Sequence, residues 1–555
     1  MTEPVRIERN ALHFLPLGGS GEIGMNLNLY ACRGKWLMVD LGITFAGDTV
    51  PGVDVLMPDP SYIEERRDDL LAIVLTHAHE DHLGAVAYLW PRLRCPVYAT
   101  PFTAAVLRDK LNEAGLLGEV ELIEMPLSGR FTIGPFDLEY ITLTHSIPEP
   151  NALVIRTDYG TLLHTGDWKI DPEPMIGEPT DRAALEQLGN GEVLAMICDS
   201  TNALSPGRSG SEGDVRRKLI EMVGDAKAGL AVTLFASNVA RLASVAVAAL
   251  ENGREPVLVG RSLWRYVKAA RSVGYLGEEI RFLNEDEGAA LEPSQALYLC
   301  TGCQGEPRAA MARIAGDSHP RIKLRQGDRV IFSSKIIPGN ELAIGRMHNR
   351  LAIHGIEVLT ERDHDVHVSG HPCQDELRDM YRWVRPRISI PVHGEFRHMF
   401  EHAALARSLQ VPETINVVNG QVVRLAPGPA GIIGTVPTGR LAVDGSQLLP
   451  LDHETLRARR RLKDNGAVFV SLVLDGRGAL LTEPRVSSHG VAAEEDTDPE
   501  HQEIADAVES AVDKLDKKER RDLEIVREAA RLAVRRKVLA RRGKRPVIDV
   551  LISRL

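Results

Sequence analysis

Thr76-His77-Ala78-His79-Glu80-Asp81-His82 is the stretch on which the fold turns. The apolar run Leu71-Ala72-Ile73-Val74-Leu75 precedes it and reads as a strand, so the histidines fall on the loop where that strand ends. Four candidate metal ligands, His77, His79, Asp81 and His82, lie within six residues. Neutral imidazoles and a carboxylate are donors that zinc accepts. Only a loop aims all four inward, because a helix or strand would send them to different faces. The plainer alternative is a solvated, His-rich loop.

One such loop holds too few donors for two cations with open positions, so the reading requires partners after other strands. Leu143-Thr144-His145-Ser146 supplies a histidine after an alternating strand, and Leu162-Leu163-His164-Thr165-Gly166-Asp167 supplies an acid after another. Asp167 suits a bridge, since a carboxylate can give one oxygen to each cation. Asp40 closes the run Lys35-Trp36-Leu37-Met38-Val39 in the same manner, at the rim where strands give way to loops.

With 555 residues the chain exceeds one hydrophobic core, and the usual domain size predicts roughly three to four units. Hydrophobic residues at 44% and charged residues at 26% are ordinary for a soluble globular protein, and no apolar run approaches the ~20 residues of a membrane span. Met1 to Asn10 lack an apolar core and a small-residue cleavage site, which predicts a cytoplasmic protein without a secretory leader. The six cysteines are scattered, so no disulfide framework is expected. A net charge of −11 argues against indiscriminate binding of polyanions, and any contact with nucleic acid must be local. Bound cations would supply one source of positive potential, and the segment Arg531 to Arg545, with eight Lys or Arg and no acid, another.

Short β-rich runs fill residues 1–206, the first part of a metal-binding domain. From the loop near Gly207 to Asp365, Val257-Leu258-Val259-Gly260, Ala296-Leu297-Tyr298-Leu299 and Arg329-Val330-Ile331-Phe332 read as buried parallel strands of an inserted α/β domain over 207–365. Ile388-Ser389-Ile390-Pro391-Val392-His393 ends in a polar residue like the first strands, so the first domain is expected to resume over 366–425. The Pro- and Gly-rich stretch predicts a linker at 426–455, followed by a small domain at 456–555 with an apolar run at Val468 to Leu474. An acidic stretch, Glu494 to Glu503, leads there into a helix with Ile504, Val508, Val512 and Leu515 on one face.

Two motifs are set aside. Gly19-Ser20-Gly21-Glu22-Ile23-Gly24 matches the dinucleotide fingerprint in letters, but Leu27 to Met38 reads as strands about the Arg33-Gly34 turn rather than the helix that fingerprint requires. Cys300-Thr301-Gly302-Cys303 has no second pair and reads as a tight turn between a strand and a helix.

The motifs together resemble the metallo-β-lactamase superfamily, and within it the β-CASP nucleases of the ribonuclease J family, over nearly the whole chain. Asp40, the HxHxDH loop, His145 and Asp167 match the metallo-β-lactamase motifs in order, and Asp199, His371 and His393 match those of the β-CASP nucleases. The resemblance implies an αββα sandwich with an inserted α/β β-CASP domain and a small C-terminal α/β domain. It implies two divalent cations, zinc with manganese or magnesium as alternatives: His77, His79 and His145 would hold one, Asp81, His82 and His393 the other, with Asp167 between them. Asp81 would thereby also serve the catalytic site. Asp40 would fix a ligand histidine by accepting its other N–H.

His371 would give a proton to the leaving oxygen and Asp199 would orient it. By the same resemblance His367-Val368-Ser369-Gly370-His371 would hold a substrate phosphate, with Phe235-Ala236-Ser237-Asn238 as a second contact; helix capping competes for Ser237 and Asn238. Two departures from the usual family text touch substrate handling: Trp168 follows Asp167, and Pro372-Cys373 follows His371.

The activity implied is 5′-to-3′ exonuclease and endonuclease cleavage of RNA in maturation and decay, with preference for single-stranded 5′-monophosphate ends. A homodimer or homotetramer assembled with help from the C-terminal domain is implied, with a degradation complex as a further partner and no membrane. Arg531, Arg535, Arg536, Arg541 and Arg542 form either an RNA surface or a solvated helix face. The competing readings are a hydrolase for DNA or for a small ester or lactam, and a non-catalytic RNA-binding subunit. His371, His393 and the inserted domain favour the nuclease, and the complete ligand set argues against the subunit.

Overall fold

The computed structural model describes residues 7–47, 50–492 and 494–555, and the side chains of 494–497 lie outside it. Residues 1–6, part of the segment on which the lack of a leader was read, also lie outside. So do the side chains that open the acidic stretch.

The N-terminal unit takes in residues 1–44 and 56–440. Its first sheet runs in the order Gly431–Thr435, Gln421–Ala426, Leu12–Gly18, Leu27–Cys32, Lys35–Val39, Leu70–Val74, Val97–Ala99, Leu122–Glu124. Its second runs Arg130–Ile133, Phe136–Thr142, Asn151–Thr157, Gly160–His164, Val193–Asp199, Ile388–Val392, Glu413–Thr414. One apolar cluster joins them: Leu12, Phe14, Tyr30, Leu37, Val39 and Val74 meet Phe136, Leu138, Tyr140, Leu153, Ile155, Ile197 and Ile390. Alternation explains this, because every second residue of these strands points inward.

On its outer side the second sheet buries Leu143, Leu163, Trp168 and Met196 against Leu185, Leu377, Met380, Val384, Leu405 and Ala406 of three helices. The Trp168 indole is thus a core side chain with no exposed surface. Helices Val86–Leu93 and Pro101–Glu113 bury Leu89, Leu93, Val106, Leu107 and Leu111, completing the αββα layering.

Between the strands Val193–Asp199 and Ile388–Val392, which pair in parallel, the chain leaves the sandwich and builds a separate sheet. Its order is Glu255–Val259, Ala296–Cys300, Leu230–Thr233, Arg329–Phe332, Glu357–Leu359, with every neighbour parallel. Continuous apolar runs suit strands covered on both faces.

The stretch expected as a linker at 426–455 carries strands at Gly431–Thr435, Arg440–Asp444 and Gln447–Pro450. Its proline and glycine content misleads because pairing is supplied by the strand just before it: Gln421–Ala426 joins Gly431–Thr435 to the first sheet.

The C-terminal unit, residues 45–55 and 441–555, holds a sheet ordered Arg485–His489, Ala467–Leu474, Val547–Arg554. Val468, Val470, Leu472 and Leu474 pack on Ile504, Val508 and Val512 of helix Glu494–Asp513 and on Val526, Ala530, Val534 and Val538 of helix Leu523–Arg542. Of the arginines on this last helix, Arg531 pairs with Glu528 and Arg541 with Glu503, as on a solvated face. Among the described residues no helix is long and apolar enough to cross a membrane. All six cysteines are buried and free, and Cys300 ends its strand ahead of a turn at Gly302.

Candidate metal centre

The strand Leu70–Val74 delivers Thr76 and His77 to one rim of the sandwich, and a single helical turn, Glu80–Leu83, turns Asp81 and His82 toward it. Strands Lys35–Val39, Gly160–His164, Val193–Asp199 and Ile388–Val392 end at the same rim, bringing Asp40, Asp167, Asp199 and His393. Asp40 and His393 adopt the left-handed conformation, with φ of 65° and 50°. Such a backbone is costly outside glycine and is held here by the surrounding bonds.

Two sets of donor atoms gather, each with all its atoms within 4.8 Å of one another: His77, His79 and His145 in the first, and Asp81, His82, Asp167 and His393 in the second. Asp167, Asp199, His371 and His393 form a third set within the same limit. His77 Nε2 lies 3.1 Å from His79 Nδ1, which lies 3.0 Å from His145 Nε2. His82 Nε2 lies 3.1 Å from Asp167 Oδ2, and His393 Nε2 lies 3.1 Å from Asp81 Oδ2. Asp167 Oδ1 is buried with no hydrogen-bond partner.

The second nitrogens decide what this cluster fits. His82 Nδ1 donates to Asp40 Oδ2 at 2.8 Å, and His145 Nδ1 donates to the Gly370 carbonyl. Each proton is thereby committed to the outer nitrogen, leaving the inner lone pair free for a cation. Burial, and then the neighbouring imidazoles, hold His77 and His145 well below the ordinary histidine value and so uncharged; His79 is lowered to about 4, mainly by burial. Neutral imidazoles converging on an unsatisfied carboxylate oxygen are the donor set of a divalent cation. The residues fit the group.

Asp40 also accepts the Thr76 N–H at 2.8 Å and its hydroxyl at 2.9 Å, so one carboxylate ties the HxHxDH loop to the neighbouring strand. Gly42 lets the loop pass: a Cβ there would lie 1.7 Å from the Asp81 carbonyl oxygen.

His371 Nδ1 lies 2.8 Å from Asp199 Oδ2 at the open side of the cluster. Burial disfavours its charge, but Asp199 and Asp167 outweigh this and raise its pKa, so the ring keeps a proton to give. The Ser369 hydroxyl accepts the His371 N–H at 3.1 Å, and Asn202 holds both the Ser369 hydroxyl, at 2.7 Å, and the His371 carbonyl, at 3.1 Å. His367 Nδ1 is buried without a partner. Phe235, Ala236 and Ser237 are partly exposed on the loop after strand Leu230–Thr233. Asn238 is buried: its side chain caps helix Val239–Glu251 by accepting the Arg241 N–H at 2.9 Å, and its amide bonds Glu212 at 3.3 Å.

Sequence reasoning missed three residues. Thr201 Oγ1 bonds His393 Nδ1 at 2.9 Å, Asn202 fixes the segment from Ser369 to His371, and Asn26 Nδ2 lies 3.1 Å from His82 Nε2. Thr201 and Asn202 sit within the Asp199-Ser-Thr-Asn-Ala motif, which could have pointed to them. Asn26 carries no such signal.

This rim, on an αββα sandwich interrupted by a parallel domain, defines a metal-dependent nuclease of the metallo-β-lactamase superfamily. Residues 28–222 match the family model of that superfamily, 227–351 that of the ribonuclease J β-CASP domain, 355–418 that of the Zn-dependent metallo-hydrolase RNA specificity domain, and 454–555 that of the ribonuclease J C-terminal domain. A ribonuclease J of Sinorhizobium meliloti is 45% identical over 98% of this chain and 97% of its own length. Those of Thermus thermophilus and Mycobacterium tuberculosis are each 38% identical, covering 83% and 88% of this chain and 82% and 88% of their own. A crystal structure of a protein of unknown function from Enterococcus faecalis shares the fold, with a TM-score of 0.51 at 16% identity over 75% of this chain and all of its own. The chain belongs to the ribonuclease J family.

Proposed function

We propose that this enzyme cleaves RNA both endonucleolytically and from the 5′ end, preferring 5′-monophosphate ends, in the maturation and decay of cytoplasmic RNA. The observation that carries the reading is the His371–Asp199 pair, 2.8 Å apart, standing at the open side of a buried His/Asp cluster. RNA as substrate is supported by the RNA-specificity match at 355–418 and by the relatives.

In this reading His77, His79 and His145 hold one cation, Asp81, His82 and His393 the second, and Asp167 is shared. Asp40 positions His82, and Asp81 belongs to the catalytic centre. Two cations held there would lower the pKa of a bound water so that it ionises to the attacking hydroxide near neutral pH, and would stabilise charge on the reacting oxygens. His371 donates its proton to the departing 3′ oxygen, and Asp199 holds the ring in line. His367, Val368, Ser369 and Gly370 bracket a phosphate with backbone N–H groups and the unpartnered His367 nitrogen, and Phe235, Ala236, Ser237 and Asn238 border its far side. Zinc is the preferred cation on the donor set, with manganese and magnesium as alternatives.

Domain limits at 1–206, 207–365 and 366–425 belong to the same reading. So does a homodimer or homotetramer aided by the C-terminal unit, for which an unchanged mass in a chain ending near Gly445 would be the contrary result. A place in an RNA-degrading complex follows from the same kinship.

The deciding experiment incubates the protein with 5′-monophosphorylated RNA, 5′-triphosphorylated RNA and matched DNA, with and without chelator. Mononucleotide release from monophosphorylated RNA alone, abolished by chelation, is the expected result. Equal cleavage of DNA, or no cleavage of any substrate, overturns it.

A further inference from the structure

His145 rides on the loop between strands Phe136–Thr142 and Asn151–Thr157, four positions before Glu149. Glu149 is 6% exposed and takes a φ of 56°, a conformation that a glutamate holds only when its surroundings impose it. Those surroundings come from two domains. Its carboxylate accepts the Phe102 N–H at 2.8 Å, in the first turn of helix Pro101–Glu113, where Thr100 makes no capping bond of its own. The hydroxyls of Thr100 and Tyr275 also face it and favour its charge against burial.

Tyr275 belongs to the inserted domain. It follows helix Arg261–Ser272, whose Arg265 and Lys268 pair with Glu113 and Asp109 of helix Pro101–Glu113. Its ring meets Phe102 edge-on, centroids 6.3 Å apart. Glu149, Tyr275 and His145 line one small pocket.

The other end of the loop is fixed to the HxHxDH strand. Asn151 N–H donates to the Thr76 carbonyl at 3.2 Å, and Asn151 Nδ2 donates to the Glu149 carbonyl at 2.7 Å. On the open side Gly370, where a Cβ would lie 2.6 Å from His145 Cε1, sets the ring's tautomer through its carbonyl. The near half of the loop is pinned where Thr144 pairs with Lys169, and the far half by the clamp at Glu149.

We infer that Glu149 is a positioning residue for His145, and that the Tyr275 hydroxyl makes the geometry of that histidine depend on the seating of the inserted domain. This rests on the assignment of His145 to a cation made above. Without the Glu149 carboxylate, the Phe102 N–H loses its acceptor, the Tyr275 hydroxyl loses the charge it faces, and the left-handed turn loses its restraint. The histidine then drifts, and misplacement by about 1 Å costs on the order of 100-fold in rate where geometry is critical.

The test uses the full chain carrying Glu149→Gln, Tyr275→Phe, or both, with wild type and His145→Ala as references. Metal content is followed during chelator challenge, alongside kcat, KM and Tm. Wild type should hold two cations and His145→Ala fewer. Each single variant should release one of the two about 10-fold faster, a loss typical of groups that orient a ligand, and show a similar fall in kcat with KM nearly unchanged. The double variant should be no worse than Glu149→Gln alone, since both act through one contact. Tyr275→Phe removes a single oxygen and decides alone if Glu149→Gln fails to fold. Normal kcat and metal retention in Tyr275→Phe, with only Tm lowered, overturns the inference and leaves the His145 assignment standing. Wild-type cation content in His145→Ala overturns the assignment itself, and the inference with it.

Discussion

Asp199 Oδ2 sits 2.8 Å from His371 Nδ1, and Asp167 Oδ2 lies 3.8 Å from the same nitrogen, so one imidazole faces both its hydrogen-bonded acid and the acid that we propose is shared by the cations. His371 Nδ1 is engaged with Asp199, which leaves Nε2 as the atom that can meet substrate. His371→Ala should keep both cations and lose about 10²- to 10⁴-fold in kcat, the range for a positioned acid or base. Turnover on RNA and metal content in the same preparation check this, and normal turnover with bound metal would defeat it.

Asp40 accepts three hydrogen bonds, from Thr76 N–H, the Thr76 hydroxyl and His82 Nδ1, and none of its surface reaches solvent. Asp40→Ala frees the His82 ring and strands the Thr76 donors. Cation affinity should weaken about 10- to 100-fold, read by competition with a coloured chelator. Unaltered affinity would show that His82 is held by its packing instead.

Arg241 and Glu212, both buried, meet through two bonds of 2.9 Å, and the guanidinium also binds Ser333 Oγ at 2.7 Å and the Val366 carbonyl at 3.0 Å. Arg241→Met leaves a buried carboxylate without its counter-charge and should cost about 3–5 kcal/mol in urea unfolding. Adding Glu212→Met should recover much of that loss. A double variant as unstable as the single would mean that the bonds to Ser333 and Val366 dominate.

His402, fully buried, bonds Ser200 Oγ at 2.9 Å and the Tyr381 hydroxyl at 2.8 Å, and burial lowers its pKa to about 4 from 6.5. Between those values the unfolded chain binds a proton that the folded one refuses. The contribution is complete above pH 6.5 and drains away as pH falls toward 4, by roughly 1.4 kcal/mol per unit. His402→Gln should therefore flatten the acid limb of the urea midpoint against pH. Parallel curves for variant and wild type would exclude the effect.

Much of this was readable because the rim is built from apolar runs that stop at a polar residue. Lys35–Val39 before Asp40, Leu70–Val74 before Thr76 and His77, and Ile388–Val392 before His393 each announce themselves locally. The parallel strands of the inserted domain were legible for the same reason. The strands at Gly431–Thr435 and Arg440–Asp444 were not, since their own residues suggest a spacer although each pairs with a strand close by in the chain. Asn26 was invisible because a single buried amide beside His82 has no spacing or periodicity to betray it, and Glu149 because its partners Phe102 and Tyr275 are remote in sequence.

His393 N–H closes on the Gly19 carbonyl at 2.6 Å, and its ring meets Asp81 from 312 positions away. Ribosomes deliver chain at about 5–20 residues per second, N-terminus first. The His77, His79 and His145 trio is therefore synthesised well before the partner of Asp81 and His82 exists. On the proposed ligand assignment, a polypeptide lacking His393 lacks the donor that completes the second set, so the centre closes only in molecules whose translation has passed that point.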